Sequence, residues 1–597
     1  MRPTLNRWLI LTLGLALAPG ALPEPALSQA TTPPYTRADT LRGSQGPARD
    51  WWDVTFYDLA VRVEPADSAI MGSVGIVYRV LEPGSELQVD LQRPMEVDSV
   101  LWRGRRLDHR RDGDAVFITA PPPDGGEGAS ARVGSSASAA GSATMDTVTV
   151  FYHGRPRVAP MPPWDGGFVW SRDPTGTPWV ATANQGLGAS VWWPNKDTQA
   201  DEPDSQRVAI TVPEPLTNVS NGRLRGVTEH EDGTATWEWF VASPINNYNI
   251  AINAGAYAHF GDTISGEAGA LTLDYWPLEV NLEAARAQFA QTPDVVACFE
   301  HWFGPYPFYE DGLKLVETPY LGMEHQSAVA YGNAYGNGYL GRDLSGTGLG
   351  LEWDFIIVHE LAHEWWGNSI TTADLADMWV HEGFANYAES LYTECLRGEE
   401  AGARYVRGVR SGVANDRPII PAYGVNAEGS GDMYNKGGNM LHTIRQIVDD
   451  DDRWRGILRG LQRDFRHQIV TGRQVRDYMS EAAGVDLEPV FRQYLETTEI
   501  PVLEYRVTGD SVRYRWADVV DGFDMPVDVT TPAGTRRIHP TPEWRTERVP
   551  GAGEEFEVDP DFYVLPREIG TRTGALSLPT RSTAVTTTSD GSAADRG

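Results

Sequence analysis

In the stretch VHELAHEWWGN (358–368) two histidines stand four residues apart with a glutamate beside the first. On an α-helix, positions i and i+4 lie above one another on one face, so His359 and His363 can direct their imidazoles at a single point. Zinc is the usual occupant of such a pair, and a catalytic zinc takes three protein ligands and leaves a fourth position to water. Glu360 can reach that water without ligating, which is where a general base stands. The apolar run Phe355-Ile356-Ile357-Val358 makes the helix a buried element, in which two imidazoles and a carboxylate without a partner are costly. A metal supplies the partner, and the chemistry is metal-assisted hydrolysis.

A third ligand is needed, and MWVHEGFANYAESLY (378–392) offers Glu382 at the head of a second amphipathic helix whose apolar stripe is Phe384, Ala388, Leu391 and Cys395. Eighteen residues separate His363 from Glu382. That is enough for the first helix to end near Gly367-Asn368, a loop to turn, and the second helix to bring its carboxylate back. His381 competes for the role, but it lies on a neighbouring face and reads as a supporting or solvated histidine.

The elements that must position these groups follow from the hydrophobic period. Between residues 31 and 265 segments such as VTFYDLAVRVEP, SVGIVYRVLEP, RVAITVPE and NYNIAINAGAY alternate apolar with polar residues, predicting an all-β domain. It is interrupted at 121–144 by a Gly-, Ser- and Ala-rich insertion with nothing to pack, which reads as disordered. From 266 to 499 the period becomes helical, strand character returns from 500 to 567, and 568–597 reads as a disordered tail. The fold class is multidomain α+β. At 597 residues several cores are expected.

Composition excludes some partners. Asp plus Glu number 82 against 50 Lys plus Arg, a net charge of −32 that repels phosphate backbones, so no nucleic acid is expected. Residues 1–30 carry Arg2 and Arg7, an apolar run from Trp8 to Ala18, and Ser28-Gln29-Ala30, the order of a cleavable signal peptide. The apolar run is too short for a span that needs roughly 20 residues, so export to the periplasm or beyond is expected and no membrane span after signal removal. Cys298 and Cys395, both in apolar helical patterns, read as buried unpaired thiols. The sequon at Asn218 carries no weight, since such triplets arise by chance.

His359-Glu360-x-x-His363, eighteen residues, then Glu382 within WVHEGFANYAE, resembles the gluzincin aminopeptidases, peptidase family M1. The resemblance runs from about Trp51 to Pro566. It implies a saddle-like N-terminal β domain, a thermolysin-like catalytic domain, a small C-terminal β-sandwich, one zinc per chain on His359, His363 and Glu382, and Glu360 as the base. YLGMEHQS (320–327) resembles the Gly-x-Met-Glu-Asn exopeptidase signature. That places Gly322 and Met323 in the substrate site and gives Glu324 the substrate's free α-amine. MYNKGGNML (433–441) resembles the Tyr-x-Lys-Gly segment, with Tyr434 on the residue that stabilises the tetrahedral intermediate. TANQGLGASVWWP (182–194) resembles the strand that sends Gln185 into the first subsite.

Two departures stand out. His325 replaces the signature's Asn, and the large helical C-terminal domain of many relatives does not follow the sandwich. The resemblance implies hydrolysis of the N-terminal bond of peptides with a free amine. A zinc endopeptidase or epoxide hydrolase on the same metal and base is the alternative within enzymes, and a catalytically idle binding protein on the same fold is the alternative outside them.

Overall fold

The computed structural model describes residues 35–121 and 144–570. The expected signal peptide, residues 122–143 of the expected insertion and the tail from 571 lie outside the described residues. Among the described residues no helix is long and apolar enough to cross a membrane.

Strands β1 (Trp52–Glu64) and β2 (Ala69–Val80) form an antiparallel hairpin at the centre of an eight-stranded sheet. Alternation along β1 sends Leu59, Val61 and Val63 into the core and leaves polar neighbours at the surface, the period a half-buried strand requires. A four-stranded sheet that includes β3 (Pro178–Ala183) stands beside it, and β3 leads directly into the turn that holds Gln185. Strand β4 (Ser205–Pro213) pairs parallel with β1.

A five-stranded sheet follows, in the order β5 (Phe260–Gly266), β6 (Gly269–Trp276), β7 (Leu313–Glu317), β9 (Val329–Tyr331), β8 (Gly322–Met323). Residue 265, where the sequence reading ends the β domain, lies inside the β5–β6 hairpin, which joins the sheet of β7. The strand period persists past that point, and the partner strand decides which sheet receives the hairpin. The site is carried by α2 (Phe355–Ala362), α3 (Trp379–Arg397) and α4 (Asn435–Val448), with α1 (Thr292–Phe303) packed behind. Beyond them β10 (Val502–Thr508) and β11 (Val527–Thr531) belong to two small sheets of four and three strands, whose Leu503, Trp516, Val527 and Val529 share one buried cluster with these helices.

The expectation of unpaired thiols is overturned: Cys298 on α1 and Cys395 on α3 form a disulfide. The two helices pack side by side and bring the Cα atoms to 6.2 Å, within bridging reach. Sequence patterns place each cysteine on a helix but not the two helices together. Cys395 is exposed, not part of the buried stripe expected of α3.

Candidate active site

Asp354 caps α2, accepting from the backbone N–H of Ile356 at 3.0 Å. The cap is itself held by Tyr331 Oη at 2.7 Å, Asn333 Nδ2 at 2.8 Å and Gln288 Nε2 at 2.7 Å. Every residue of α2 is buried, so tertiary packing around a fixed cap sets the helix. The helix ends at Ala362, earlier than the expected Gly367-Asn368. His363 closes it in right-handed helical conformation, φ −64° and ψ −20°, which keeps the i, i+4 stacking with His359. The chain then turns, and Trp366 stacks on Phe384 of α3 with ring centroids 4.0 Å apart. That contact brings the first turn of α3, and Glu382 with it, beneath the two imidazoles.

His359 Nδ1 lies 2.8 Å from Glu389 Oε1, and His363 Nδ1 lies 2.9 Å from the carbonyl oxygen of Trp366. A carbonyl only accepts, so His363 carries its proton on Nδ1, and the Glu389 carboxylate imposes the same tautomer on His359. Both Nε2 lone pairs then face the same space. The nitrogens are 3.3 Å apart and stand 3.6 and 3.3 Å from Glu382 Oε2, an oxygen with no hydrogen-bond partner among the described residues. His359, His363 and Glu382 are buried and their ligand atoms all lie within 4.8 Å of one another. Three electron-pair donors converging without a proton between them fit a cation, and two imidazoles with one carboxylate are a donor set zinc accepts. Burial by itself would lower the His363 imidazole, but Glu382 and Glu324 raise it to about 9, so the space favours positive charge.

Glu360 lines the same cavity, of about 280 Å³. Burial pushes its carboxyl up to about 7, with His359 and His363 pulling the other way. Edge strand β8 lies directly against it: a Cβ at Gly322 would come within 2.8 Å of both Glu360 Oε1 and Ile356 Cγ2, so only glycine lets the strand approach this closely. Tyr434 precedes α4, which begins at Asn435, two residues before the expected Gly437-Gly438. Its ring stacks on His359, centroids 6.0 Å apart, and burial followed by Glu382 and Glu324 holds its phenol protonated far above neutrality. Gly437 on α4 and Gly383 on α3 meet backbone to backbone, so that a Cβ at Gly437 would lie 3.1 Å from the Gly383 Cα. This close crossing delivers Tyr434 to the cavity.

Glu324 follows β8 and is buried, its Oε1 accepting from Gln185 Nε2 at 2.8 Å and from Tyr248 Oη at 3.0 Å. Gln185 sits in the turn after β3, not on the strand, and its Nε2 also lies 2.8 Å from Glu382 Oε1. One amide therefore ties the carboxylate of the sequence signature to the donor set. Met323 is buried beside Glu324 and lines the cavity. His325 is fully buried and lies outside the cavity lining, neither ring nitrogen has a partner among the described residues, and burial lowers it to about 3. His381 is likewise buried and accepts from the Thr372 backbone N–H at 3.0 Å, so it turns away from the donor set and is not solvated.

Sequence reasoning missed two groups. Glu389, which orients His359 and accepts from Tyr405 Oη at 2.7 Å, lies seven residues after Glu382, two turns along one helical face; that spacing was the available signal. Tyr248, more than seventy residues from Glu324, carried none.

Comparison with known proteins agrees with this geometry. Residues 292–494 match the model of the peptidase family M1 domain. The chain is 24% identical over 337 residues to aminopeptidase B of Mus musculus, covering 53% of this chain and 48% of that protein. It is 28% identical over 224 residues to aminopeptidase N of Lactobacillus helveticus, covering 34% and 26%. In each case it spans less than half of the relative's length. The crystal structure of an M1 zinc metallopeptidase from Deinococcus radiodurans superposes with a TM-score of 0.62 at 21% identity, covering 76% of this chain and 96% of that one. Residues 292–494 thus match a peptidase family M1 domain, and the chain shares the fold of a solved M1 zinc metallopeptidase.

Proposed function

We propose that the protein is a zinc-dependent aminopeptidase that removes the first residue of peptides with a free N-terminus. One observation carries the reading: the donor set of His359, His363 and Glu382, the carboxylate of Glu360 and the carboxylate of Glu324 all line one cavity. A solved M1 zinc metallopeptidase variant from Deinococcus radiodurans is bound to a Tyr-Ser-Ala substrate, the same substrate class.

Zinc on His359, His363 and Glu382 supplies, when bound, a Lewis acid that makes water nucleophilic near neutral pH and polarises a carbonyl. Glu360, poised near neutrality by its burial, accepts the attacking water's proton and passes it to the leaving amine. The Tyr434 phenol donates a hydrogen bond to the oxygen that becomes an oxyanion. Glu324 pairs with the substrate ammonium while Gln185 and Tyr248 hold its carboxylate in place. Burial raises the Glu324 carboxyl above its ordinary range, and an arriving ammonium favours its charged form. Fixing the amine there lets only the first peptide bond reach Glu360, so exopeptidase behaviour comes from positioning.

The test is hydrolysis of aminoacyl amides against their N-acetylated counterparts, with and without a chelator. Acetylation removes a charge-assisted contact and is expected to cost about 2–4 kcal/mol in kcat/KM. Equal cleavage of both series would favour an endopeptidase. Export from the cytoplasm belongs to the same proposal, and the Cys298–Cys395 disulfide supports it, because such bridges persist in oxidising compartments.

A further inference from the structure

A second cavity, of about 360 Å³, shares Gln185, Glu382 and Tyr434 with the first, and Pro163 and Trp164 border both. A substrate held with its ammonium on Glu324 and its scissile carbonyl near Glu360 and Tyr434 has its first α-carbon between these shared residues. The side chain of its first residue then has this second cavity to enter. Met378, Met433 and Leu187 give the cavity apolar walls, and Asp165 and Glu428 bring two carboxylates to it. Asp165 is already paired with Arg157.

Glu428 is different. Among the described residues it has no hydrogen-bond or ion-pair partner, and the cation that acts on it, Arg417, gives its guanidinium to the Gly429 carbonyl at 2.9 Å and to Asp416 at 3.4 Å. Its carboxylate lies against the turn that carries Gln185: a Cβ at Gly186 would come within 2.7 Å of Glu428 Oε1. Its side chain is exposed at the cavity, and the surrounding protein, then Glu382 and Glu324, raise its carboxyl above the ordinary range, which an arriving cation would reverse. The Trp164 indole beside it is 62% exposed and can take a cation on its ring face.

We infer that Glu428 makes this site selective for peptides whose first residue ends in an ammonium or guanidinium group. The aliphatic stem of such a side chain packs on Met378 and Met433, and its charged head reaches Glu428 under Trp164. The chain's net charge of −32 raises the local concentration of cationic peptides. The inference rests on the aminopeptidase reading for its register, and its test separates the two.

The experiment compares kcat/KM for arginyl, lysyl, leucyl and methionyl amidocoumarins on the zinc-loaded full chain, its Glu428→Gln variant and its Glu428→Asp variant. Binding of L-argininamide and L-leucinamide to each protein is measured alongside by calorimetry. The parent is expected to favour the two cationic residues, and the cationic-to-apolar ratio to fall by about 10- to 100-fold in Glu428→Gln, as loss of one charge-assisted contact does. Glu428→Asp, which keeps the charge, retains the preference. A ratio unchanged in Glu428→Gln, or an equal fall for all four substrates, overturns the inference. Should no amide be hydrolysed, argininamide binding that depends on Glu428 upholds the selectivity while the aminopeptidase reading falls. Equal binding of both amides by parent and Glu428→Gln overturns the selectivity.

Discussion

The triplet Val-His-Glu occurs twice around the site, at 358–360 on α2 and at 380–382 on α3. In the first copy the histidine turns its Nε2 to the donor set and the glutamate lines the cavity one position on. In the second copy the glutamate faces the donor set, 3.3 Å from His363 Nε2, while the histidine turns back to the Thr372 backbone. Burial opposes charge on both imidazoles, but Glu382 and Glu389 raise His359 well above its ordinary value, whereas at His381 burial and the neighbouring His363 outweigh Glu382 and lower it to about 3. Identical neighbours along the chain acquire opposite roles, because successive helical residues point about 100° apart and each helix offers a different edge to the cavity.

The contrast can be broken most severely by removing the metal. Glu382→Ala and His359→Ala are each expected to lose bound zinc and with it all measurable hydrolysis, while His381→Ala keeps about one zinc per chain. Metal analysis of the purified variants decides it, and zinc retained by Glu382→Ala but lost from His381→Ala would reverse the assignment. Next in size is the other glutamate. Glu360→Gln keeps the zinc and loses about 10²–10⁴ in kcat, as removal of a general base does; a folded, zinc-loaded variant with parental turnover would leave Glu360 without a catalytic role.

Tyr434→Phe keeps the ring on His359 and removes only the hydroxyl. Its kcat is expected to fall by about 10²–10³ with little change in KM or zinc content, the signature of a contact made in the transition state. Steady-state kinetics at the parental rate would reduce Tyr434 to packing. The smallest effect sharpens the contrast from the side of His381. Its folded pKa of about 3 lies below the unfolded value of 6.5, so the unfolded chain binds the proton first; the stabilisation is present above pH 6.5 and is lost as the pH falls toward 3. His381→Gln, which can still accept from Thr372 but does not titrate, is expected to lose about 1–2 kcal/mol less than the parent between pH 6.5 and pH 5. Urea unfolding at the two pH values reads this difference, and parallel losses would show that the ring is not held neutral.

Much of the site was legible before any coordinates. The His359–His363 spacing, the apolar run ahead of it and Glu382 at the head of the next helix are local features, and local periodicity is what a sequence displays. The resemblance added Glu324, Gln185 and Tyr434, and the structure brings all three to the same cavity wall. What escaped has a common cause. The Cys298–Cys395 bridge spans 97 residues, and the Tyr248–Glu324 hydrogen bond joins the β domain to the catalytic sheet. Each depends on which elements lie side by side. The β5–β6 hairpin shows the same limit, since its strand period is plain but its sheet is chosen by β7.

The sequence by itself determined the chemistry available here: two imidazoles on one helical face, one carboxylate beside the first of them and another at the head of the next helix, and apolar patterns that bury them. Side-chain periodicity follows from backbone geometry alone, so those faces could be read without a fold. The tertiary structure decided which member of each Val-His-Glu turn meets the cavity, which acceptor fixes each imidazole tautomer, and that Gln185 links Glu324 to Glu382. Those choices depend on helix rotation and on partners distant in the chain, and only packing around a shared core sets them.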